Sequence, residues 1–309
     1  METLLIAFKT VLPLFLVIFA GTLFSRTKAC SPNWVEVLNK YALHIGFPAL
    51  VIASLMHLKI GEQSYTELIL LNSVYVVIST LLAFPISKLL GLSSKMRQSL
   101  FLILPFGNIA YLGMPVLQNS FGDEILPVAA IISAVYVFWL LTLSIILIEI
   151  FGDDKIKPRK LLLNLAQNPL LISVFIGLAI VLFKIELPSV LSKTIQLFAD
   201  SVTAVVLFSL GIFMGIQKRG NLKEWYGVIG WVAFTMLVFP FAFSAILNLF
   251  HIDSELVKSS VIDAAMPLGL TPYAISVQYK LNTTLIARIV VLGTLLSLII
   301  IPFWIAFLG

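Results

Sequence analysis

The sequence predicts an all-α integral membrane protein of ten transmembrane helices, built as two five-helix repeats that enter the bilayer in opposite senses. Three observations carry this expectation. Of the 309 residues, 60% are hydrophobic and 11% charged, with a mean hydropathy of +1.07. Soluble domains carry roughly 25% charged residues, and a chain this poor in charge cannot cover a water-facing surface. Apolar runs of about 20 residues, the length needed to cross hydrocarbon as helix, recur along the whole chain. Finally, Lys and Arg fall unequally on alternate connectors, which sets an orientation.

The first run, 4–25, is interrupted only by Lys9. It is long enough to span and has no basic leader, so no cleavable signal peptide is expected. The second, 34–57, carries Lys40 and His44, and the third covers 66–90. The fourth, 97–121, is broken near its centre by Gly and Pro, and the fifth covers 125–150. GDDKIKPRK (152–160) follows as the one strongly charged linker. The sixth span, 168–185, is the shortest and opens on Asn168-Pro169. The seventh, 189–214, contains Asp200, and the eighth covers 225–248. The ninth, 256–279, is again broken by Gly and Pro, and the tenth, 284–308, carries Arg288 near its start.

Connectors after odd-numbered spans, counted with the span ends that flank them, hold thirteen Lys and Arg, and those after even-numbered spans hold four. Odd connectors are therefore expected in the cytoplasm, with both termini outside and the chain in the cell membrane. The net charge of +5 is scattered between apolar runs, so it reports on topology and not on a nucleic-acid partner. Because five is odd, the second half must insert upside down relative to the first. This predicts a first repeat at 1–151, a cytoplasmic linker at 152–167 and an inverted repeat at 168–309.

The breaks carry the functional signal. PFGNIAYLGMP (105–115) interrupts the fourth span and MPLGLTPY (266–273) its counterpart, the ninth. Non-helical backbone at mid-membrane depth leaves N–H and C=O groups unpaired unless protein, water or ligand satisfies them. Pro115 and Pro272 suit the first turn of a new half-helix, where a missing N–H costs nothing. Each half-helix would present free N–H groups and the positive end of its dipole, a combination that favours a carboxylate. Prolines also kink membrane helices for packing alone, but matched breaks in two halves point to a transporter site.

Around the breaks, Asn108 is the foremost candidate, a neutral amide able to donate to a carboxylate. Ile109, Tyr111, Gly113, Pro115, Pro267, Gly269, Pro272 and Tyr273 complete the expected lining; Gln118 and Gln278 flank it. Asp200 and Asp263 are the acidic residues well inside spans. Each is a candidate coupling group or the partner of a Lys such as Lys40, because an intramembrane carboxylate is costly to hold. His44 is a third candidate for coupling, or a packing residue.

Enzyme chemistry is not expected. The three histidines (His44, His57, His251) form no metal motif, there is no P-loop, and the single Cys30 excludes a disulfide or a cysteine metal cluster. No cofactor is expected beyond a proton or sodium gradient. A channel remains the rival outside the carrier class.

Four stretches carry a family resemblance: GNIAYLGMPVL (107–117), AAMPLGLTPYAISVQYKLN (264–282), FADSVTAVVLFSLGIFMG (198–215) and LNKYALHIGFPALV (38–51). Together the chain resembles the auxin efflux carrier family, which includes plant auxin exporters and bacterial permeases for malate or malonate. The resemblance implies a sodium/proton-antiporter-like fold in which broken helices 4 and 9 cross. It implies a scaffold of spans 1, 2, 6 and 7 that forms a homodimer, with spans 3–5 and 8–10 as a moving transport domain. It also implies elevator-like alternating access for small organic anions, mono- or dicarboxylates. Asn108 and Asn168 match family substrate contacts. Leu170 replaces the second Asn of the plant members, and the linker is short where theirs is long, so the chain resembles a bacterial carrier more than an auxin exporter.

Overall fold

The computed structural model describes residues 2–31, 33–56, 65–152, 159, 163, 166–217, 225–249 and 254–308. His57, His251 and most of the linker 152–167 lie outside them. Among the described residues the chain is helical throughout, and the only β pairing is one isolated antiparallel bridge, Gly107 with Leu268.

Among the described residues, seven stretches are long and apolar enough to cross a membrane. In chain order these are α1 (Glu2–Phe24, of which Ile6–Phe24 qualifies), α2 (Trp34–Met56), α3 (Tyr65–Leu89), α6 (Asp123–Ile150), α8 (Ser189–Ile216), α9 (Trp225–Leu249) and α12 (Thr283–Leu308). The others are shorter: α4 (Ser94–Ile103), α5 (Met114–Phe121), α7 (Pro169–Leu182), α10 (Ser254–Ala264) and α11 (Leu270–Gln278). The expected fourth and ninth spans are thus each two helices separated by non-helical backbone. Widened π-type turns occupy Ala42–Gly46, Leu140–Ser144 and Phe234–Val238 inside long helices, and Ile109–Gly113 immediately before α5. Hydrophobic periodicity does not reveal such one-residue insertions.

The chain divides into two compact units. The first comprises Met1–Tyr65, Ala110–Ala134 and Ala166–Lys218, and the second Thr66–Ile109, Val135–Leu165 and Arg219–Gly309. Residues 110–134, which the resemblance assigns to the moving helices, pack within the first unit. There α5 lies against α1, with Asn119 Nδ2 donating to the Thr10 carbonyl at 3.4 Å.

The first unit is organised by a close α1–α8 seam. Gly21 faces the backbone of Phe208 and Gly211, and Gly211 faces the Ile18 carbonyl, so that a Cβ at either would overlap main chain. Gly211 and Gly215 form a small-xxx-small pair of the kind that lets membrane helices touch along their backbones. Thr22 Oγ1 donates to the carbonyls of Ile18 and Gly211, both at 3.0 Å. Helix α2 joins α8 through Ser209 Oγ donating to Asn39 Oδ1 (3.0 Å) and a Tyr41–Ser201 hydroxyl pair (2.6 Å). Gly177 of α7 receives Leu55 of α2.

In the second unit, Trp304 of α12 is fully buried and its indole N–H donates to the Met236 carbonyl (2.9 Å) within the widened turn of α9. At one end of this unit Gln98 of α4 donates to the Phe151 carbonyl at 2.5 Å. Tyr279 donates to Glu149 at 2.8 Å, and the Asn282 N–H donates to Ser99 Oγ at 3.1 Å. These bonds fix α4, α6 and the α11–α12 connection to one another, and so fix the two half-helices that frame the breaks.

Candidate substrate site

Both breaks lie inside the second unit, and they satisfy each other. The chain leaves α4 at Ile103, runs without helix through Phe106–Asn108, and re-enters helix at Ile109. It leaves α10 at Ala264, runs through Pro267–Gly269, and re-enters at Leu270. Gly107 and Leu268 pair as an antiparallel bridge, and the Asn108 N–H donates to the Pro267 carbonyl at 2.6 Å. Gly107 has no substitute here: a Cβ would lie 2.9 Å from both the Cβ and the carbonyl oxygen of Met266, and 3.1 Å from the Asp263 carbonyl oxygen.

This geometry corrects two expectations. The fourth span is interrupted before Ile109 and not at Gly113-Met114-Pro115, because the widened turn Ile109–Gly113 runs directly into α5, where Pro115 is second. Pro272 lies in the first turn of α11 as expected, after Leu270 and Thr271, where an N–H has no intrahelical acceptor. The two breaks are therefore centred on Gly107-Asn108 and Leu268-Gly269, the former seven to eight residues before Pro115 in the fourth span. The second correction is that the Asn108 backbone N–H is not free for an anion; the opposite break takes it.

What remains available is the Asn108 side chain. It is 2% exposed and its Nδ2 has no partner among the described residues. It stands against Gly269, where a Cβ would come within 3.3 Å of Asn108 Cα and 3.4 Å of Oδ1. Gly269 is the N-cap of α11 and supplies no side chain to its first N–H groups. An unpartnered amide donor and an uncapped helix N-terminus thus adjoin in the interior of the unit. Such a pair attracts a carboxylate through two N–H donors and the positive end of the helix dipole.

The other expected residues separate. Ile109, Pro267, Gly269 and Pro272 are buried in the second unit beside Asn108 in sequence or across the bridge, and Tyr273 is half-buried one residue beyond Pro272. Tyr111, Gly113 and Pro115 are buried in the first unit, where the Tyr111 ring meets Phe47 edge-on at 5.1 Å. Asn168 also belongs to the first unit. Its Oδ1 accepts from the N–H groups of Leu170 (3.0 Å) and Leu171 (3.2 Å), which makes it the N-cap of α7 ahead of Pro169. Gln118 donates to Asp123 at 2.9 Å, and Gln278 is exposed.

The three candidate coupling residues differ sharply. Asp200 is exposed on α8 and accepts from Gln196 at 2.7 Å. His44 is exposed on α2, its Nδ1 bonded to the Lys40 carbonyl at 3.0 Å. Lys40 pairs with Glu36 at 2.6 Å and not with either aspartate. Asp263, by contrast, is fully buried near the end of α10, and neither carboxylate oxygen has a partner among the described residues. Sequence reasoning missed the polar groups around it, Asn72 and Tyr136, because each sits alone in an apolar run with no neighbouring motif.

The long apolar helices, with two interrupted segments bridged between them, fit a multi-pass membrane protein. The chain belongs to the membrane transport protein family, whose model matches residues 6–305, and which includes the auxin efflux carriers. It is 23% identical over 280 residues to an uncharacterized transporter of Methanocaldococcus jannaschii, covering 87% of this chain and 88% of that one. It is 24% identical over 294 residues to a candidate malonate transporter of Rhizobium meliloti, covering 93% and 91%. Auxin efflux carrier component 2 of Arabidopsis thaliana is 28% identical over 151 residues, which cover 47% of this chain but 23% of the plant protein.

Proposed function

We propose that this protein is a secondary active transporter of small organic anions, mono- or dicarboxylates, held at the paired breaks. The observation that carries the reading is the buried Asn108 amide, with Nδ2 unpartnered, beside the uncapped N-terminus of α11. Family membership supports transport, and the relative named for malonate supplies a first substrate to try. Ile109, Pro267, Gly269 and Pro272 would shape the pocket around the anion. Tyr111, Gly113, Pro115 and Asn168 are less favoured as contacts, since Asn168 already spends its carbonyl oxygen on capping α7.

We further propose ten spans in two inverted repeats, both termini outside the cell membrane, and a homodimer formed through scaffold spans 1, 2, 6 and 7. Elevator-like alternating access would let spans 3–5 and 8–10 carry the anion against the scaffold of spans 1, 2, 6 and 7; the two compact units match that division except at residues 110–134, which belong to the first unit. Among the coupling candidates, burial favours Asp263 over Asp200 and His44. That residue is also what favours the second reading, a sodium-coupled organic anion symporter.

The test is uptake of radiolabelled malonate, malate and a monocarboxylate into proteoliposomes containing wild-type protein or Asn108→Ala. Wild type should show saturable uptake. Loss of one charge-assisted hydrogen bond, about 1.5–3 kcal/mol, should weaken apparent affinity on the order of ten- to a hundredfold in the variant. Unchanged affinity and rate in Asn108→Ala would remove this residue from the site, and ohmic conductance without saturation would replace the carrier with a channel.

A further inference from the structure

A second polar cluster lies in the same unit, and no part of the anion site uses it. Asn72 of α3 is fully buried, and its Nδ2 donates to the Leu68 carbonyl and to Ser260 Oγ, both at 2.9 Å. Because the Leu68 carbonyl can only accept, the amide orientation is fixed and Asn72 Oδ1 is the atom left without a partner. Ser260 lies one turn before Asp263 on α10, so both side chains leave the same helix face. Tyr136 approaches from α6, its ring 6.4 Å from that of Phe106, the residue before Gly107 against which the Asp263 carbonyl packs, and its buried hydroxyl also has no partner among the described residues. The Tyr136 ring sits 6.3 Å from Tyr75, which is one turn beyond Asn72 on α3. Asn72, Ser260, Asp263, Tyr136 and Tyr75 therefore close a ring.

The unpartnered atoms within this ring are all oxygens: both of Asp263, Asn72 Oδ1 and Tyr136 Oη. An all-oxygen set around one buried carboxylate is what a hard cation requires. With one carboxylate, the set balances a single positive charge. Leaving the carboxylate charged and bare would cost several kcal/mol. Other charged groups are poorly placed to supply the balance. On α10 itself, Lys258 is half-buried and five residues away. The second half of α9 (Phe239–Leu249) carries no ionisable side chain, and on α12 Arg288 extends over the Trp225 ring at 5.8 Å. On α3 and α6 the facing titratable groups are Tyr75 and Tyr136.

We propose that Asp263, Asn72 and Tyr136 form a binding site for one monovalent cation, sodium or a proton, whose loading enables anion binding at Asn108. This deepens the reading given above and rests on it for its consequence. The coupling path is short: the Asp263 backbone carbonyl abuts Gly107, the residue before Asn108. A bare carboxylate there repels an incoming anion, and a loaded one does not. By linkage, the anion must strengthen cation binding by the same factor.

The experiment compares purified wild type, Asp263→Asn and Tyr136→Phe. Thermal midpoints are measured with NaCl replacing choline chloride at constant ionic strength, and separately with pH lowered from 8 to 6 without sodium. In wild type one arm should raise the midpoint by about 3 °C or more, the size expected for a ligand well above its Kd, and the responsive arm names the cation. Asp263→Asn should lose the response. Tyr136→Phe, which removes one hydroxyl and keeps the ring, should shift the concentration needed severalfold and keep the response. A full response in Asp263→Asn, or none in wild type in either arm, overturns the site. Proteoliposome uptake of malonate is then driven by the same cation gradient. Acceleration in wild type that disappears in Asp263→Asn supports coupling; equal acceleration in both overturns it. If wild type moves no carboxylate while the midpoint response at Asp263 persists, the anion reading fails and the cation site stands.

Discussion

Replacing Gly107 by Ala adds a single methyl group at the point where the two breaks touch. The methyl carbon would lie 2.9 Å from Met266 Cβ and from the Met266 carbonyl oxygen, and 3.1 Å from the Asp263 carbonyl oxygen. Ordinary contacts of a methyl carbon begin near 3.4 Å or beyond, and two of these three neighbours are backbone that cannot rotate away. The segments must separate by about half an ångström, which stretches the Asn108–Pro267 hydrogen bond. Overpacking costs about 1–3 kcal/mol, and a buried N–H losing its acceptor costs about 1–3 kcal/mol more, so roughly 2–6 kcal/mol is expected in total. The same change at Gly227, inside α9 with nothing within 4 Å of the added atom, should instead stabilise the helix by about 0.5–1 kcal/mol. Thermal unfolding of both variants in detergent measures the contrast. By the scaling of soluble domains, Gly107→Ala should melt roughly 5–15 °C below wild type, and Gly227→Ala should not fall below it. Equal midpoints for the two would refute the claim that the breaks are held by direct backbone pairing.

Two further outcomes follow from the placement of individual side chains. Asn168→Ala removes the cap of α7 and should cost about 1 kcal/mol, lowering the midpoint by a few degrees while leaving the apparent affinity for malonate unchanged; altered affinity at unchanged stability would return Asn168 to the substrate site. Asp200→Asn should change stability by less than about 0.5 kcal/mol and leave transport intact, since Asp200 is exposed and held only by Gln196. A transport-dead Asp200→Asn of normal stability would contradict that placement.

The sequence was most legible where structure is local. A membrane helix must pair its own backbone groups, so α1, α3, α8 and α12 follow directly from runs of apolar residues. The Asn168-Pro169 start of α7 was legible for the same reason, because an N-cap followed by a proline is a short-range signal. The breaks were legible as breaks, but not in register. Gly113-Met114-Pro115 looks like the interruption, yet a widened turn carries helix straight through it from Ile109. The true interruption, at Phe106–Asn108, is defined by a partner far along the chain. Asp263 and Asp200 were equivalent in sequence. Which of them is buried depends on the helix face each occupies, and only the packed unit decides that. Asn72 and Tyr136 were invisible because their importance comes from spatial neighbours on other helices.

The bridge between Gly107 and Leu268 joins positions about 160 residues apart in the chain. A ribosome adding about 5–20 residues per second reaches Leu268 roughly ten to thirty seconds after Gly107 has emerged. Throughout that interval the first break has no partner, and its backbone must be hydrated, shielded by the insertion machinery or kept out of the bilayer. The first break can therefore reach its final backbone pairing only after Pro267 and Leu268 have been made, and a nascent chain stopped short of Leu268 leaves the Asn108 N–H without the acceptor it has in the finished fold.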